Sequence, residues 1–484
     1  MKRWEWRLLG ALTLLSLAIH FHFRIRGFGE QDEARLGLYA LDWRAHGVFA
    51  TDTYLNRTSP LYLMLLGYAL DHGLSPGAIS HVLNLVNVLF GSLALVPMFL
   101  LFRELARDGR TAFLAVVAYW FAPAFWYGQG YGMPHIPSLA FFLTSLYAFA
   151  RALTDGSREH AHPATGLEPR WLAVAAVTSA LAGALKSDIV LSGLAFPALV
   201  PCLGAPTVRR LLVACALPAV GVAAALFLSH AFLPVGISTF DFAASWNQQF
   251  PFDWRALVDR RHWLITERAL GSVFWVAAAA GFVGLLRRAD RSEAEIGAGR
   301  RLVLLCVAWA LPTVLFWGLI WAHAARHLAA ALVPVALVTV AGWRELLGAM
   351  PRVVAAVAGM LVVNYFSAPA TNHPHLAAPR LFASRDLMQA LTDEFTKSGE
   401  EFARARAPRK LLLGAGAVPY CEFAVIAQAR RFERRVNKPG ELWDLDVASP
   451  GGPELVRIRR GPQPTPERAD PGWFAWNAER GGAP

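Results

Sequence analysis

His81-Val-Leu-Asn-Leu-Val-Asn-Val-Leu-Phe-Gly-Ser-Leu-Ala-Leu-Val-Pro-Met-Phe-Leu-Leu-Phe102 runs without one Asp, Glu, Lys or Arg. About 20 predominantly apolar residues in a helix cross the hydrocarbon core of a bilayer, roughly 30 Å thick. This stretch therefore reads as a transmembrane helix. Similar runs recur on both sides of it, from Leu8 to Phe366. They predict eleven crossings, near 8–23, 81–102, 111–126, 137–150, 171–185, 189–203, 211–233, 270–286, 302–322, 328–342 and 353–366. The composition agrees. Of 484 residues 55% are hydrophobic and 17% charged, where a soluble enzyme carries nearer 25% charged.

The first run follows Lys2, Arg3 and Arg7, as a signal peptide would, but its exit, His-Phe-Arg-Ile-Arg, lacks a small-residue cleavage site. It is kept as a helix. The net charge of +11 raises the question of nucleic acid, yet the arginines are dispersed among the loops. Topology explains them better, because Lys and Arg accumulate in cytoplasmic loops. With the N-terminus inside, the inner segments hold 18 Lys and Arg in 67 residues, against 11 in 111 for the outer segments before residue 367. Arg287, Arg288, Arg291, Arg300 and Arg301 make the densest inner cluster. An odd number of crossings then puts the C-terminus outside. No nucleic-acid partner is expected. Cys202, Cys215, Cys306 and Cys421 show neither a disulfide framework nor zinc-type spacing.

The expected fold is thus an all-α polytopic membrane protein with a small α/β domain at its C-terminal end. Residues 1–366 form the transmembrane domain, with long outer loops at 24–80 and 234–269. Residues 367–484 form a small periplasmic domain ending in a loose, Gly-, Pro- and Arg-rich tail. Within the tail, Ser384 to Phe395 reads as a capped helix and Lys410 to Ala415 as a strand. Leu411 to Ala429 is apolar but broken by Pro419 and Glu422, so it is not counted as a crossing. In the first outer loop, Leu36, Tyr39, Ala40 and Trp43 follow helical spacing after Asp32, predicting an amphipathic helix on the membrane surface. Ser59-Pro-Leu-Tyr opens another apolar stretch, interfacial or re-entrant, that is too short to span before Asp71.

Charges at membrane depth are expensive, and the middles of the crossings have almost none. Instead Lys186, Asp188 and Arg326 mark outer ends of crossings, and Asp32 and Glu33 lie in the first outer loop. Ion-coupled transporters more often place polar sites at the midplane between repeated halves, and no internal repeat is visible here. The signals point to a site at the outer membrane surface. Lys186 is the sharpest of them, the one lysine between Lys2 and Lys397 in a chain that otherwise uses arginine. It could snorkel its charge to the headgroups or bind a phosphate. Trp43, Trp126, Trp246 and Trp254 fit an interfacial aromatic belt. Asn56-Arg57-Thr58 matches a glycosylation acceptor, and His160 and His162 read as solvated loop residues.

Gly29-Glu-Gln-Asp-Glu-Ala-Arg in the first outer loop, the later Ser59-Pro-Leu-Tyr, the Leu181-Ala-Gly-Ala-Leu-Lys hairpin and Arg326 followed by Pro334 together resemble the GT-C superfamily. Protein O-mannosyltransferases and bacterial aminoarabinose transferases of lipid A are nearest in pattern. The resemblance covers residues 1–366. It implies an inverting glycosyltransferase that takes a sugar from a polyprenyl-phosphate donor and passes it to a lipid, polysaccharide or protein acceptor outside the cytoplasm, in the inner membrane. Asp32 would be the catalytic acid–base residue, with Glu33 as the alternative and a dipole-stabilised carboxylate as the structural reading of both. Lys186 and Arg326 would stabilise the departing phosphate, with His327, Tyr62 and Asn56 also toward the substrate.

The sequence departs from the superfamily pattern at several places. Where relatives carry a second acidic residue this chain has Gly132-Met-Pro-His-Ile-Pro-Ser, so His135 takes that position, as a base, an acceptor contact or a loop residue. Leu185 and Ser187 flank the lysine where relatives have Thr and Gly, and the second proline near Arg326 is missing. His323 and His327, four apart, would share a helical face and could bind a metal. No third ligand adjoins them in sequence, so no cofactor is expected. The competing functional class is a transporter or flippase of lipid-linked saccharides, which would also need a basic outer cavity.

Overall fold

The computed structural model describes residues 2–24, 59–75, 78–122, 132–155, 166–232, 253–258, 272–287, 293–318 and 325–367, scattered positions in 33–40 and 124–129, and four short strands beyond residue 409. In chain order the helices are α1 (Arg3–Phe23), α2 (Pro60–Asp71), α3 (Ile79–Ala106), α4 (Gly109–Trp120), α5 (His135–Asp155), α6 (Pro169–Leu185), α7 (Ala195–Leu203), α8 (Val208–Phe232), α9 (Ser272–Leu286), α10 (Glu293–Gly318), α11 (Ala329–Leu347) and α12 (Met350–Ser367). Helical residues fall within the described parts of the apolar runs. Five helices among the described residues, α3, α5, α8, α10 and α11, are long and apolar enough to cross a membrane.

Local chemistry sets the helix ends. Asp108 caps α4 by accepting from the Thr111 N–H at 3.0 Å, and Glu168 caps α6 from the Trp171 N–H at 2.9 Å, with Pro169 at the first helical position. The run expected over 111–126 stops as a helix at Trp120, because the residue before Pro123 is disfavoured in the α region. The run over 189–203 departs further. It starts as a 3-10 turn, Ser187–Ser192, and only Ala195–Leu203 is α-helical. Together the two parts make one of the shorter apolar helices, Ser187–Leu203.

Helix α11 is the centre. Ala329 through Gly342 are buried at every position, as expected of a helix apolar all round. Its close fit against α9 requires glycine. A Cβ at Gly342 would lie 1.9 Å from the Gly281 carbonyl oxygen. Helix α8 sits at the rim, where Val208, Leu212 and Phe227 are 65–74% exposed. Apolar side chains bared in this way face lipid. Some polar groups within the bundle interior bond one another or a buried carbonyl. Gln129 Nε2 donates to the Val88 carbonyl and the Ser92 hydroxyl at 3.1 and 3.0 Å, and Trp120 Nε1 to the Ser16 hydroxyl at 3.1 Å.

Ion pairs collect where α1 and α4 begin and α3, α5 and α11 end: Arg103 with Glu5 at 3.2 Å, Arg151 with Glu104 at 3.5 Å and Arg344 with Asp108 at 2.7 Å. The opposite end, where α5 and α11 begin and α6 finishes, carries the remaining buried charge. In the first loop, Glu33, Leu36, Gly37, Tyr39 and Ala40 are helical, as the spacing predicts. However, Leu36 and Ala40 are fully buried, so this stripe packs into protein rather than lying on a membrane surface. Helix α2 begins at Pro60 and is too short to span, as expected. In the tail, strands β1 (Lys410–Leu412), β2 (Arg431–Arg435), β3 (Asp444–Val447) and β4 (Leu455–Arg459) form a sheet of order β1-β3-β4-β2, with β2 parallel to β4 and the other pairs antiparallel. The expected helix at 384–395 lies outside the described residues.

Candidate functional site

Three segments distant in sequence meet at the end of the bundle remote from Arg3. The first is the last turn of α6. Lys186 leaves the helix in an extended conformation while its N–H still donates to the Ala182 carbonyl at 3.0 Å. The chain then turns through Ser187–Ser192, carrying Asp188 back beside it. Lys186 is 1% exposed, and its Nζ lies 3.9 Å from Asp188 Oδ2. A snorkelling lysine would carry its ammonium out to water. This one points into protein.

The second segment is the start of α5. His135, expected in a loop, is instead the first residue of the helix and is buried. The chain before it is held at three points. Glu33 accepts from the Gly132 N–H, Tyr62 donates its hydroxyl to the Gly132 carbonyl at 3.1 Å, and Asn87 Nδ2 donates to the Met133 carbonyl at 2.7 Å. Only glycine fits at 132, because a Cβ there would sit 2.4 Å from that of Leu83. The third segment is the 3-10 turn Ala325–Leu328, with His327 buried and its ring stacked on Trp317 at 3.6 Å between centroids. Tyr119 anchors the following residues by donating to the Ala329 carbonyl at 2.8 Å.

These segments bring three ligand-type atoms together. His327 Nδ1 lies 3.2 Å from His135 Nε2 and 3.2 Å from Asp188 Oδ2, and His135 Nε2 is 3.7 Å from the same oxygen. Among the described residues, His135, Asp188 and His327 form the one group of three side chains able to share a metal ion. They border a cavity of about 20 Å³, lined also by Lys186, Ser192 and Thr313, with room for about one water-sized occupant. Ser192 and Thr313 hydrogen-bond across it at 3.1 Å. A larger hollow, about 590 Å³, lies at the other end of the bundle. Its lining includes the pairs Glu5–Arg103 and Asp108–Arg344, which tie helix ends together, so its size alone does not make it the site.

Of the residues singled out from sequence, Lys186, His135 and His327 converge here. Glu33 and Tyr62 do not reach the cavity and instead hold the strand of chain leading to His135. Arg326 is placed by its backbone in the turn beside His327, and its side chain lies outside the described residues. Asp32, Asn56 and His323 also lie outside them. Sequence spacing paired His327 with His323 on an α-helical face, whereas the described part of that stretch, 325–328, is a 3-10 turn. The partners of His327 come from 139 and 192 residues away, a distance no local pattern reveals. Asp188 was visible as a charge at a helix end, and its place two residues after Lys186 was the available signal. Trp317 and Ser138 gave no signal among the many apolar and small residues of their helices.

No family model matches the sequence, and no curated relative does. Solved structures resemble it in fold. ArnT from Cupriavidus metallidurans bound to undecaprenyl phosphate is 20% identical, with 87% of this chain and 74% of that one covered and a TM-score of 0.42. The apo oligosaccharyltransferase of Archaeoglobus fulgidus is 13% identical, with 88% of this chain covered and a TM-score of 0.48. This chain spans 60% of that protein's length.

Proposed function

We propose that the protein is an inverting glycosyltransferase that moves a sugar from a polyprenyl-phosphate donor to a lipid, polysaccharide or protein acceptor on the extracytoplasmic face of an inner membrane. The observation that carries this reading is the inward burial of Lys186 beside His135, Asp188 and His327 at the end of an apolar helix bundle. An ammonium removed from water needs a counter-charge. Asp188 lies 3.9 Å away, and a lipid phosphate arriving at the bundle end would meet the same ammonium.

The chemistry follows from the groups. An acceptor oxygen or nitrogen attacks the anomeric carbon, the carbon–oxygen bond to the phosphate breaks, and direct displacement inverts the centre. The acceptor proton passes to a carboxylate, for which Asp32 is the first choice and Glu33 the second. Negative charge collects on the departing polyprenyl phosphate, where Lys186 and Arg326 stabilise it. Glu33 is engaged by the Gly132 N–H, which favours Asp32 as the base. In this reading eleven crossings put the N-terminus in the cytoplasm and residues 367–484 in the periplasm as a small α/β domain.

The test is mass spectrometry of membranes from cells with the wild-type protein, with Asp32→Asn and with none, seeking a glycan or lipid that changes by one sugar. Wild type alone should make the heavier species. A lipid-linked saccharide that changes leaflet without any product gaining a sugar would support a transporter instead.

A further inference from the structure

We propose that His135 Nε2, His327 Nδ1 and Asp188 Oδ2 are three ligands of a zinc-type divalent metal ion whose fourth position opens toward Lys186. The site stands on geometry alone; its role toward a donor phosphate rests on the transferase reading above. Tetrahedral zinc with bonds of about 2.0–2.1 Å separates its ligand atoms by about 3.3–3.4 Å. The three separations here are 3.2, 3.2 and 3.7 Å. A point about 2 Å from all three atoms therefore exists, as such bonds require.

Hydrogen bonding satisfies the same arrangement poorly. His327 Nδ1 is 3.2 Å from both a ring nitrogen and a carboxylate oxygen. One imidazole nitrogen has a single in-plane direction, so it either donates to Asp188 or accepts from His135. A cation at the common point uses the lone pairs of all three atoms at once. Two imidazoles and one carboxylate suit zinc-like ions, while magnesium prefers oxygen ligands and several waters. The rings are held for the task. Trp317 stacks on His327, and the two histidine rings meet at 75°.

The cavity charge then selects the fourth ligand. A dication, the Lys186 ammonium and the Asp188 carboxylate leave two positive charges in a space of about 20 Å³. An anionic phosphate oxygen reaching the mouth of this cavity would answer that charge, as ligand to the metal and acceptor from Lys186.

The experiment uses full-length protein in detergent, stripped with EDTA and dialysed against Zn²⁺ or Co²⁺ without donor or acceptor. Elemental analysis should find one ion per chain, and Co²⁺ should give the intense visible bands of a tetrahedral site. X-ray absorption of the wild-type zinc form should count two imidazoles, a readout that needs no variant to fold. His135→Ala and His327→Ala should each lower affinity at least 100-fold, and His323→Ala should leave it unchanged. Zinc-free wild type, an X-ray absorption spectrum without imidazole, or equal loss in His323→Ala would overturn the proposal. Because no sugar is transferred in this assay, bound metal with no transferase activity would leave the site standing and remove the catalytic reading alone.

Discussion

Ser138 donates its hydroxyl to the Ala182 carbonyl at 2.8 Å, linking the first turn of α5 to the last turn of α6. That one bond couples the helix that begins with His135 to the helix that ends at Lys186. The Ala182 carbonyl also accepts from the Lys186 N–H, so the serine braces the turn that delivers the ammonium. Ser138→Ala should cost about 1 kcal/mol in stability, yet raise the KM for the lipid donor several-fold while kcat changes less. A purely structural hydroxyl would lower the amount of folded enzyme and leave KM alone.

Lys186 itself should divide its effects by charge. Lys186→Met leaves Asp188 without its nearest cation, and breaking a buried pair from one side costs about 3–5 kcal/mol. Lys186→Arg keeps the charge but exchanges a point ammonium for a planar fork. Binding of undecaprenyl phosphate by the purified protein should weaken at least tenfold in Lys186→Met and recover in part in Lys186→Arg. Equal affinity in all three proteins would return Lys186 to a packing role. A double variant, Lys186→Met with Asp188→Leu, should regain stability without regaining lipid binding, separating the two effects.

The site was half legible in the sequence. Apolar length located the helices, because spanning a bilayer imposes one period and one length on every crossing. Lys186 stood out because a buried ammonium is costly, and His135 because it filled a position that related sequences give to an acid. What the chain could not display was convergence. His327 meets Asp188 and His135 across 139 and 192 residues, and its ring is oriented by Trp317, one aromatic among the 17 tryptophans. Glu33 shows the reverse case. It read as a candidate base, and the fold gives its carboxylate to the Gly132 N–H.

Gly132 offers a test of that hold. An added Cβ would lie 2.4 Å from the Cβ of Leu83, so Gly132→Ala must displace either the chain leading to His135 or helix α3. Overpacking of this kind costs about 1–3 kcal/mol. Leu83→Gly in the same chain removes the Cβ that is met and opens the space again. The single variant should lose affinity for Co²⁺ as His135 shifts, and the double variant should restore it. Unchanged Co²⁺ bands in Gly132→Ala would mean that the 132–135 segment does not position the histidine.

At the far end of the bundle, Asp108 makes a prediction about pH. Partial burial alone would raise its carboxyl. The Thr111 hydroxyl at 2.7 Å, the Thr111 N–H at 3.0 Å and the Arg344 guanidinium at 2.7 Å outweigh that and hold it below the ordinary carboxylate value. A carboxyl lowered in the native state binds protons more readily when unfolded. Its stabilisation is therefore complete above the unfolded value and is lost as pH falls through the native one. Asp108→Asn keeps a capping side chain and removes the charge, so it isolates this contribution. Arg344 is 41% exposed, and solvent screening limits the pair to about 0.5–1 kcal/mol. Thermal unfolding in detergent should show wild type the more stable of the two at pH 7. The gap should close as the solution is acidified through the carboxylate range. A gap that stayed constant with pH would assign the difference to the cap and not to the charge.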